Sequence, residues 1–314
     1  MIFTIVTPSY NQGAFLGRTI ESVLNQEGDF RIDYIIMDGG SDDNSVEIIR
    51  SYQKRVESGE YKILCNGITL RWISEKDGGQ GDAIRKGFLM AKGTILAWLN
   101  SDDFYMPEAF QSVVDIFRNN SEISLIYGDC GYCDEHGNAI GRYPAAEFDF
   151  ARLASFNFIP QPSTFFRLDA YHAAGGLDDS LRYVMDFDLV IRICKGAVCH
   201  YLPHQLSCYR LHGDSKTVME DGLFDNHEEA LRVVIKYFSW APFNLLYGSC
   251  SSYFDQHIPD GMKKSRLLRI VISLAAALIR SLWLNHGIDL RDLKLLNREN
   301  LRKLFITRRE ILLG

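Results

Sequence analysis

In the first 130 residues, short apolar runs rich in β-branched side chains alternate with stretches of helical period, and this alternation most limits the folds open to the chain. Runs at 3–7, 34–37, 71–74, 95–99 and 125–127 are too short for helices and read as strands. Between them, apolar residues recur every three or four positions over 14–25, 44–56, 81–91 and 107–118. A strand buried on both faces needs a nearly continuous apolar run, and crossover helices laid on both sides of a parallel sheet provide that burial. The predicted class is therefore α/β, with a mainly parallel central sheet flanked by helices. From about residue 131 the rhythm changes: YGDCGYCDEHGNAIG reads as a hairpin turning at Glu-His-Gly-Asn, short strands and helices follow, and 217–238 reads as a helix.

In sheets of this kind ligands bind beyond the carboxyl ends of the strands. The four segments at those ends are TPSYNQG, DGGSDDNS, EKDGGQGD and NSDD, all polar and most bearing glycine or carboxylates. Asp102 and Asp103 follow the apolar strand ILAWLN, where a carboxylate must be solvated, paired or bound to a cation. Ligands that are oxygen alone suit Mg²⁺ or Mn²⁺, which commonly share a site with substrate phosphates. The plainer alternative is a helix N-cap ahead of Pro107. Asp186 and Asp188, in MDFDLVIRI, open a second candidate helix, where acidic residues complement the helix dipole in any case. Successive helical positions differ by about 100°, so the two carboxylates point different ways. His212 lies in YRLHGDSKT, where Arg210, Ser215 and Lys216 are plausible phosphate-facing partners, with a solvated loop histidine the equal alternative. Gln161, in PQPSTFF, is a candidate contact to a ligand, and Arg85 and Lys86 read first as a solvated helix face.

Taken together, these segments resemble the family 2 glycosyltransferases of GT-A fold. The matching pattern is T-P-x-Y-N after the first strand, D-G-x-S-x-D after the second, S-E-x-D-x-G opening a helix, and an N-x-D-D form of the metal-binding DxD motif. It continues through QPSTFF, MDFDLVIR and RLHGDSKT, covering about residues 1–218. The resemblance implies a nucleoside-diphosphate sugar as donor, with a UDP-sugar favoured, and a divalent metal, Mn²⁺ or Mg²⁺, as cofactor. Residue by residue it implies that Asp38 recognises the nucleobase and Tyr10 stacks on it, with Thr7 and Pro8 shaping the pocket. Asp77 would lie near the nucleotide, Asp102 would meet the ribose, Asp103 would hold the cation, and His212 would sit near the metal and diphosphate. Asp186 would be the catalytic base of an inverting displacement, with Asp188 in support. A glycan or lipid-linked hydroxyl is the implied acceptor, in surface-polysaccharide synthesis. A sugar nucleotidyltransferase is a competing expectation, but it calls for a glycine-rich basic loop after the first strand that TPSYNQG lacks. A non-catalytic nucleotide-sugar binding protein is a further alternative.

Charge divides the chain. The formal net charge of -6 hides an excess of 12 Lys+Arg over 4 Asp+Glu in residues 261–314, or +8, which leaves -14 for residues 1–260. An acidic body argues against nucleic acid as its ligand. Residues 263–284 are the most apolar stretch, but the longest uncharged run, 270–279, is ten residues against the ~20 that span a bilayer, so a transmembrane helix is not expected. Arg266, Arg269, Ser273 and Arg280 share one stripe of the helical wheel, the pattern of a helix lying on an anionic membrane surface, or of one packed on the catalytic domain or in a dimer. A second amphipathic stretch follows from Leu290 to Phe305. The expected division is a catalytic domain over 1–240, with nucleotide-sugar binding in 1–130 and the acceptor and base part in 131–240, then a basic helical region over 241–314. Seven cysteines, an odd number, and a Met1 that leads straight into the first strand fit reduced thiols in the cytoplasm, with peripheral association on the inner face of the plasma membrane. Cys130, Cys133 and His136 have metal-ligand spacing without a completing partner, so zinc is not favoured.

Overall fold

The computed structural model describes residues 1–213, 215, 222–258, 265–287 and 291–292. The chain forms two compact units, one of residues 1–148 and 158–211, the other of residues 149–157 and 212–314.

The first unit is built on one sheet. Its strands are β1 (Ile2–Ser9), β2 (Arg31–Asp38), β3 (Ile68–Ser74), β4 (Ile95–Trp98), β5 (Phe104–Tyr105), β6 (Ile123–Cys133), β7 (Ala139–Arg142), β8 (Thr164–Arg167) and β9 (Val198–Arg210). They lie in the order β3-β2-β1-β4-β8-β6-β9-β5, with β7 paired to β6 as the predicted hairpin. β1 is parallel to β2 and β4, and β2 to β3; β8 runs antiparallel between β4 and β6, and β9 is parallel to β6. The chain thus leaves β1 toward β2 and β3, then returns to lay β4 on the other side of β1. Between β1 and β4 the winding reverses, which is where an open α/β sheet leaves a crevice for a ligand.

The helices follow from their apolar spacing. In α1 (Gly13–Leu24), Leu16, Ile20 and Val23 are buried at intervals of four and three. The helices α2 (Ser45–Glu57), α3 (Gln80–Leu89) and α4 (Ala109–Asn119) repeat the device, the last burying Phe110, Val113, Val114 and Phe117. These side chains meet the two-faced burial of β1, where Phe3 packs 4.8 Å from Phe110 and 5.5 Å from Phe30 between ring centres. The fold is the expected α/β sheet with flanking helices.

The second unit is helical. A short α5 (Phe150–Leu153) is capped by Asp149, whose carboxylate accepts the amides of Ala151 and Arg152. After α6 (Leu168–Ala173) and α7 (Met185–Cys194), which belong to the first unit, the chain enters α8 (Leu223–Phe238), α9 (Phe243–His257) and α10 (Arg266–Leu284). Leu231, Leu246, Cys250 and Ala277 form its core. The side-chain amide of Asn285 both accepts from and donates to the backbone of Ala241 at 2.9 and 3.0 Å, closing the start of α9 onto the end of α10. The helix expected over 217–238 begins at Leu223, and residues 217–221 lie outside the described residues. Most of the second amphipathic stretch, 293–305, lies outside them too. Counting only uncharged residues underrates α10: its 19 residues contain an 18-residue window of mean hydropathy 1.9, long and apolar enough by length and composition to cross a membrane.

Candidate active site

The loops that leave β1, β2 and β3 are sewn together by their own polar side chains. Asp38, at the end of β2, is buried, and its carboxylate accepts from the amides of Gly40 and Ser41, from Ser41 Oγ, and from Ser74 Oγ at the end of β3. Gly40 takes the left-handed φ of 81° that lets the chain fold back over this carboxylate. The loop after β1 joins in: Asn11 N donates to Ser41 Oγ at 2.8 Å, the Asn11 side-chain oxygen accepts the amide of Asp42, and Gly13 N donates to Asp43. Thr7, fully buried, shares a 3.0 Å hydrogen bond with Tyr34, and Pro8 is buried beside it. Tyr10, by contrast, is 62% exposed at the rim, the disposition of a ring open to stacking. Asp77 is half-buried and accepts from Gly79 N at 2.8 Å; its carboxylate fills the space a side chain at Gly39 would take, 3.1 Å from that Cβ position. Among the described residues, Ser9 Oγ and Gln12 Oε1 in this loop are buried without a partner, an arrangement that costs about 1–3 kcal/mol per group unless a ligand satisfies it.

The loop after β4 holds the second cluster. Asp103 is 1% exposed; its Oδ1 accepts the amide of Arg210 at 2.9 Å, while Asn100 Nδ2 reaches its other oxygen only at 3.5 Å. Burial, and then the neighbouring Asp102 carboxylate, push the Asp103 carboxyl well above the usual range. Asp102 itself is half-buried. Thr19 of α1 fixes the loop by donating to the carbonyl oxygens of Ser101 and Asp103 at 2.8 and 2.7 Å. Asn100 is the hub of an amide chain: it accepts from Gln80 at 2.7 Å and donates to Gln161, which donates in turn to the Trp98 carbonyl.

Asp186 is half-buried in the first turn of α7. Burial, then Tyr132, then the Asp186 charge raise the Tyr143 phenol well above its ordinary value, so this carboxylate stands near a tyrosine cluster in which Tyr132 is 6.1 Å from both Tyr143 and Tyr209. Asp188, two positions on, is 1% exposed and forms an i,i+4 ion pair with Arg192 at 2.8 Å, while Arg192 also donates to the carbonyls of Ala174 and Gly176.

One sequence expectation changes. Arg210 does not face phosphates: it is buried, its guanidinium donates to the carbonyls of Asp102 and Glu135, and it lies 4.8 Å over the Phe15 ring. Ser215 accepts the His212 amide at 3.1 Å, and Lys216 lies outside the described residues. His212 is buried in the second unit. Arg85 and Lys86 form ion pairs with Asp82 at 2.9 Å each, as a solvated helix face should. Cys130 Sγ accepts a hydrogen bond from Ser207 Oγ, and His136 is exposed beside Glu135.

The family model for glycosyl transferase family 2 matches residues 4–171. The chain belongs to glycosyltransferase family 2. This family 2 chain is 25% identical over 270 residues to a chondroitin synthase of Escherichia coli, covering 83% of the chain and 37% of that protein. It is 24% identical over 225 residues to a hyaluronan synthase of Pasteurella multocida, covering 71% of the chain and 22% of that protein. The chain thus spans well under half the length of these relatives. Among solved structures, residues 1–349 of S. aureus TarS with UDP-GlcNAc match at a TM-score of 0.61 and 13% identity, covering 90% of this chain and 81% of that one. The mannosyltransferase PcManGT of Pyrobaculum calidifontis, with GDP-Man and Mn²⁺, matches at 0.59 and 13% identity, covering 99% and 82%. The fold is GT-A.

The carboxylates fit a hard divalent cation. Among the described residues no group of three or more His, Cys, Asp or Glu side chains is placed to hold a metal by itself. One or two carboxylate oxygens with the rest of the shell left to phosphate and water is how Mg²⁺ and Mn²⁺ are commonly held with phosphorylated substrates. Sequence reasoning missed Asn100 and Arg210 as the groups that fix this loop. Asn100 was visible inside NSDD, whereas nothing local to Arg210 signals which carbonyls it reaches.

Proposed function

We propose that the chain is an inverting, cation-dependent glycosyltransferase. It moves a hexosyl or N-acetylhexosaminyl group from a nucleoside-diphosphate sugar, with a UDP-sugar favoured, to a hydroxyl of a glycan or lipid-linked acceptor in cytoplasmic steps of surface-polysaccharide synthesis. The observation that carries the reading is the buried Asp103 carboxylate beside Asp102 at the reversal between β1 and β4. In its charged form this pair calls for a cation, and a diphosphate is the natural companion of one. The likeness to a chondroitin synthase and a hyaluronan synthase supports the product class.

Donor recognition falls to the loops after β1, β2 and β3. Tyr10 offers the stacking face, and Asp77 stands over Gly39 for the nucleotide. Asp38 serves by holding the loop, since its oxygens already accept four donors, while Thr7 and Pro8 form the floor. Asp102 takes the ribose and Asp103 the cation, which when bound neutralises charge building on the leaving diphosphate. Asp186 accepts the proton of the acceptor hydroxyl; that oxygen then bonds to the anomeric carbon from the side opposite the departing nucleoside diphosphate, which leaves with the bonding pair. Configuration inverts.

The test is to incubate the purified chain with Mn²⁺ and a panel of UDP- and GDP-sugars and follow nucleoside diphosphate release. One donor should be consumed, and chelation should stop the reaction. Asp186→Asn should bind that donor within about threefold of wild type yet lose about 10²–10⁴-fold in kcat. Asp103→Ala should lose cation-dependent donor binding. A panel in which no donor is turned over or raises the unfolding temperature overturns the reading, and equal loss of binding in both variants overturns the division of roles.

A further inference from the structure

An ordinary surface helix turns its apolar stripe inward and its charges to water. α10 does the reverse. The face it buries is Ile270, Ser273, Ala277 and Ser281, spaced three, four and four apart, a stripe half of which is hydroxyl. The arginines flanking that stripe are engaged by the same helical unit: Arg280 donates to Glu228 and Ser249 at 2.8 Å, and Arg269 pairs with Asp255. What faces outward is Leu267, Val271, Leu278, Ile279, Leu282 and Trp283, with Ile279 68% and Trp283 75% exposed. Isolated apolar residues on a surface are ordinary, but a continuous helical face of this size marks something that covers it.

We infer that the outward face of α10 docks on a lipid bilayer carrying anionic headgroups, with the helix lying in the interface. Three features select a bilayer. The segment that contains the helix and follows it, 261–314, carries 12 Lys+Arg against 4 Asp+Glu, so the region has the charge an anionic surface attracts while the rest of the chain does not. The same excess on two copies brought face to face would repel, which argues against a second copy as the occupant. Trp283 stands at the end of the helix, and aromatic side chains of that kind settle at the boundary of headgroup and acyl chain. The helix lies on the membrane and does not cross it, because crossing would strip Arg280 from Glu228 and Arg269 from Asp255 and carry both arginines into hydrocarbon. The headgroup attraction comes from the basic excess of 261–314 as a whole; Arg269 and Arg280 contribute little to it, since acids of their own unit already face them. The inference stands whatever sugar is transferred.

The experiment is cosedimentation of the full chain with vesicles of one part phosphatidylglycerol to two parts phosphatidylcholine, beside vesicles of phosphatidylcholine alone. The wild type should pellet with the mixed vesicles and less with the neutral ones. Ile279→Asp combined with Trp283→Asp should cut the bound fraction about tenfold or more while the unfolding temperature and nucleoside diphosphate release stay at wild-type values. Sedimentation and unfolding temperature need no sugar transfer, so membrane docking is decided separately from the proposed activity. The proposal is overturned if the wild type stays in the supernatant or if the double variant pellets as before. It is equally overturned if light scattering finds a wild-type dimer that the same substitutions split, for then the face lies between copies.

Discussion

A carboxylate with almost no solvent contact beside a second carboxylate is costly in its charged form, and Asp103 is in that situation. Its carboxyl is raised, so without a cation the folded chain keeps a proton there at pH values where an ordinary aspartate, with a pKa of about 3.9, has lost it. Cation binding must displace that proton. Apparent affinity for Mn²⁺ in the presence of UDP should therefore fall as pH is lowered from 8, by about tenfold per pH unit once the pH drops below the Asp103 value. Titration calorimetry at several pH values measures it, and an affinity that stays flat down to the ordinary aspartate value of about 3.9 would show that Asp103 does not bind the cation as a carboxylate. At this scale much of the site was legible. NSDD at the end of an apolar strand announces a carboxylate pair in a place where charge is difficult. Which member is sealed from water was not legible, because that depends on the Arg210 amide and the Thr19 hydroxyl, which are distant in sequence. Asp188 was readable by contrast, since its partner Arg192 lies one helical turn on.

Elements were legible where apolar period and local turn chemistry agree, and less so where pairing alone extends them. β1 runs through Pro8 to Ser9, past the end of its apolar run, because pairing with β4 stops at Val6 and only β2 continues beside it to Asp38. A proline there gives up a hydrogen bond on the side that has no neighbour. β6 likewise extends from Ile123 to Cys133 across Gly128 and Gly131, which break the apolar run; the loss of regularity is visible as register shifts against β9 at Gly128–Asp129 and Asp129–Cys130. α3 shows a second kind of dependence on a neighbour. Gly87 is buried in its third turn, and a Cβ there would stand 2.5 Å from Val6 Cγ1 and 2.9 Å from Cγ2. Helix propensity favours Gly87→Ala by about 1 kcal/mol, whereas overpacking a filled interior costs about 1–3 kcal/mol. Overpacking should win, since Val6 is fully buried in a strand paired on both sides. Gly87→Ala should lower the unfolding temperature by a few degrees, and adding Val6→Ala should recover part of the difference. An increase in the single variant would mean that the sheet yields more readily than its burial implies.

For the whole molecule, the two units carry carboxylates that respond to acid in opposite senses. Composition located the basic excess in 261–314, yet it did not reveal that Arg269 and Arg280 of α10 turn toward acids of their own unit, because a helical wheel does not say which face meets the protein. That turn creates the Glu228–Arg280 pair. Burial works to raise the Glu228 carboxyl, but hydrogen bonds from Arg280 and Ser249, with the Arg280 charge, outweigh it and hold the carboxyl below its ordinary value. A depressed acid stabilises the fold at pH values above its unfolded pKa and loses that contribution as pH falls through the folded value. Asp103 is raised, so without cation its burial opposes folding at neutral pH, and the penalty begins to lift as pH falls through its folded value and is gone only below its unfolded one. Two variants separate the effects. At pH 7 and without cation, Glu228→Gln should be less stable than wild type and Asp103→Asn more stable. The Asp103→Asn gap should shrink as the pH falls toward the ordinary aspartate value of about 3.9, whereas the Glu228→Gln gap should persist there and close only at lower pH, as it falls through the depressed folded value. Hydrogen exchange of α8 amides for the first variant and β1 amides for the second, corrected for intrinsic rates, reads each unit in turn. A loss of protection in β1 for Asp103→Asn at pH 7 would mean that the carboxylate is already compensated by protein donors, leaving a cation little to neutralise.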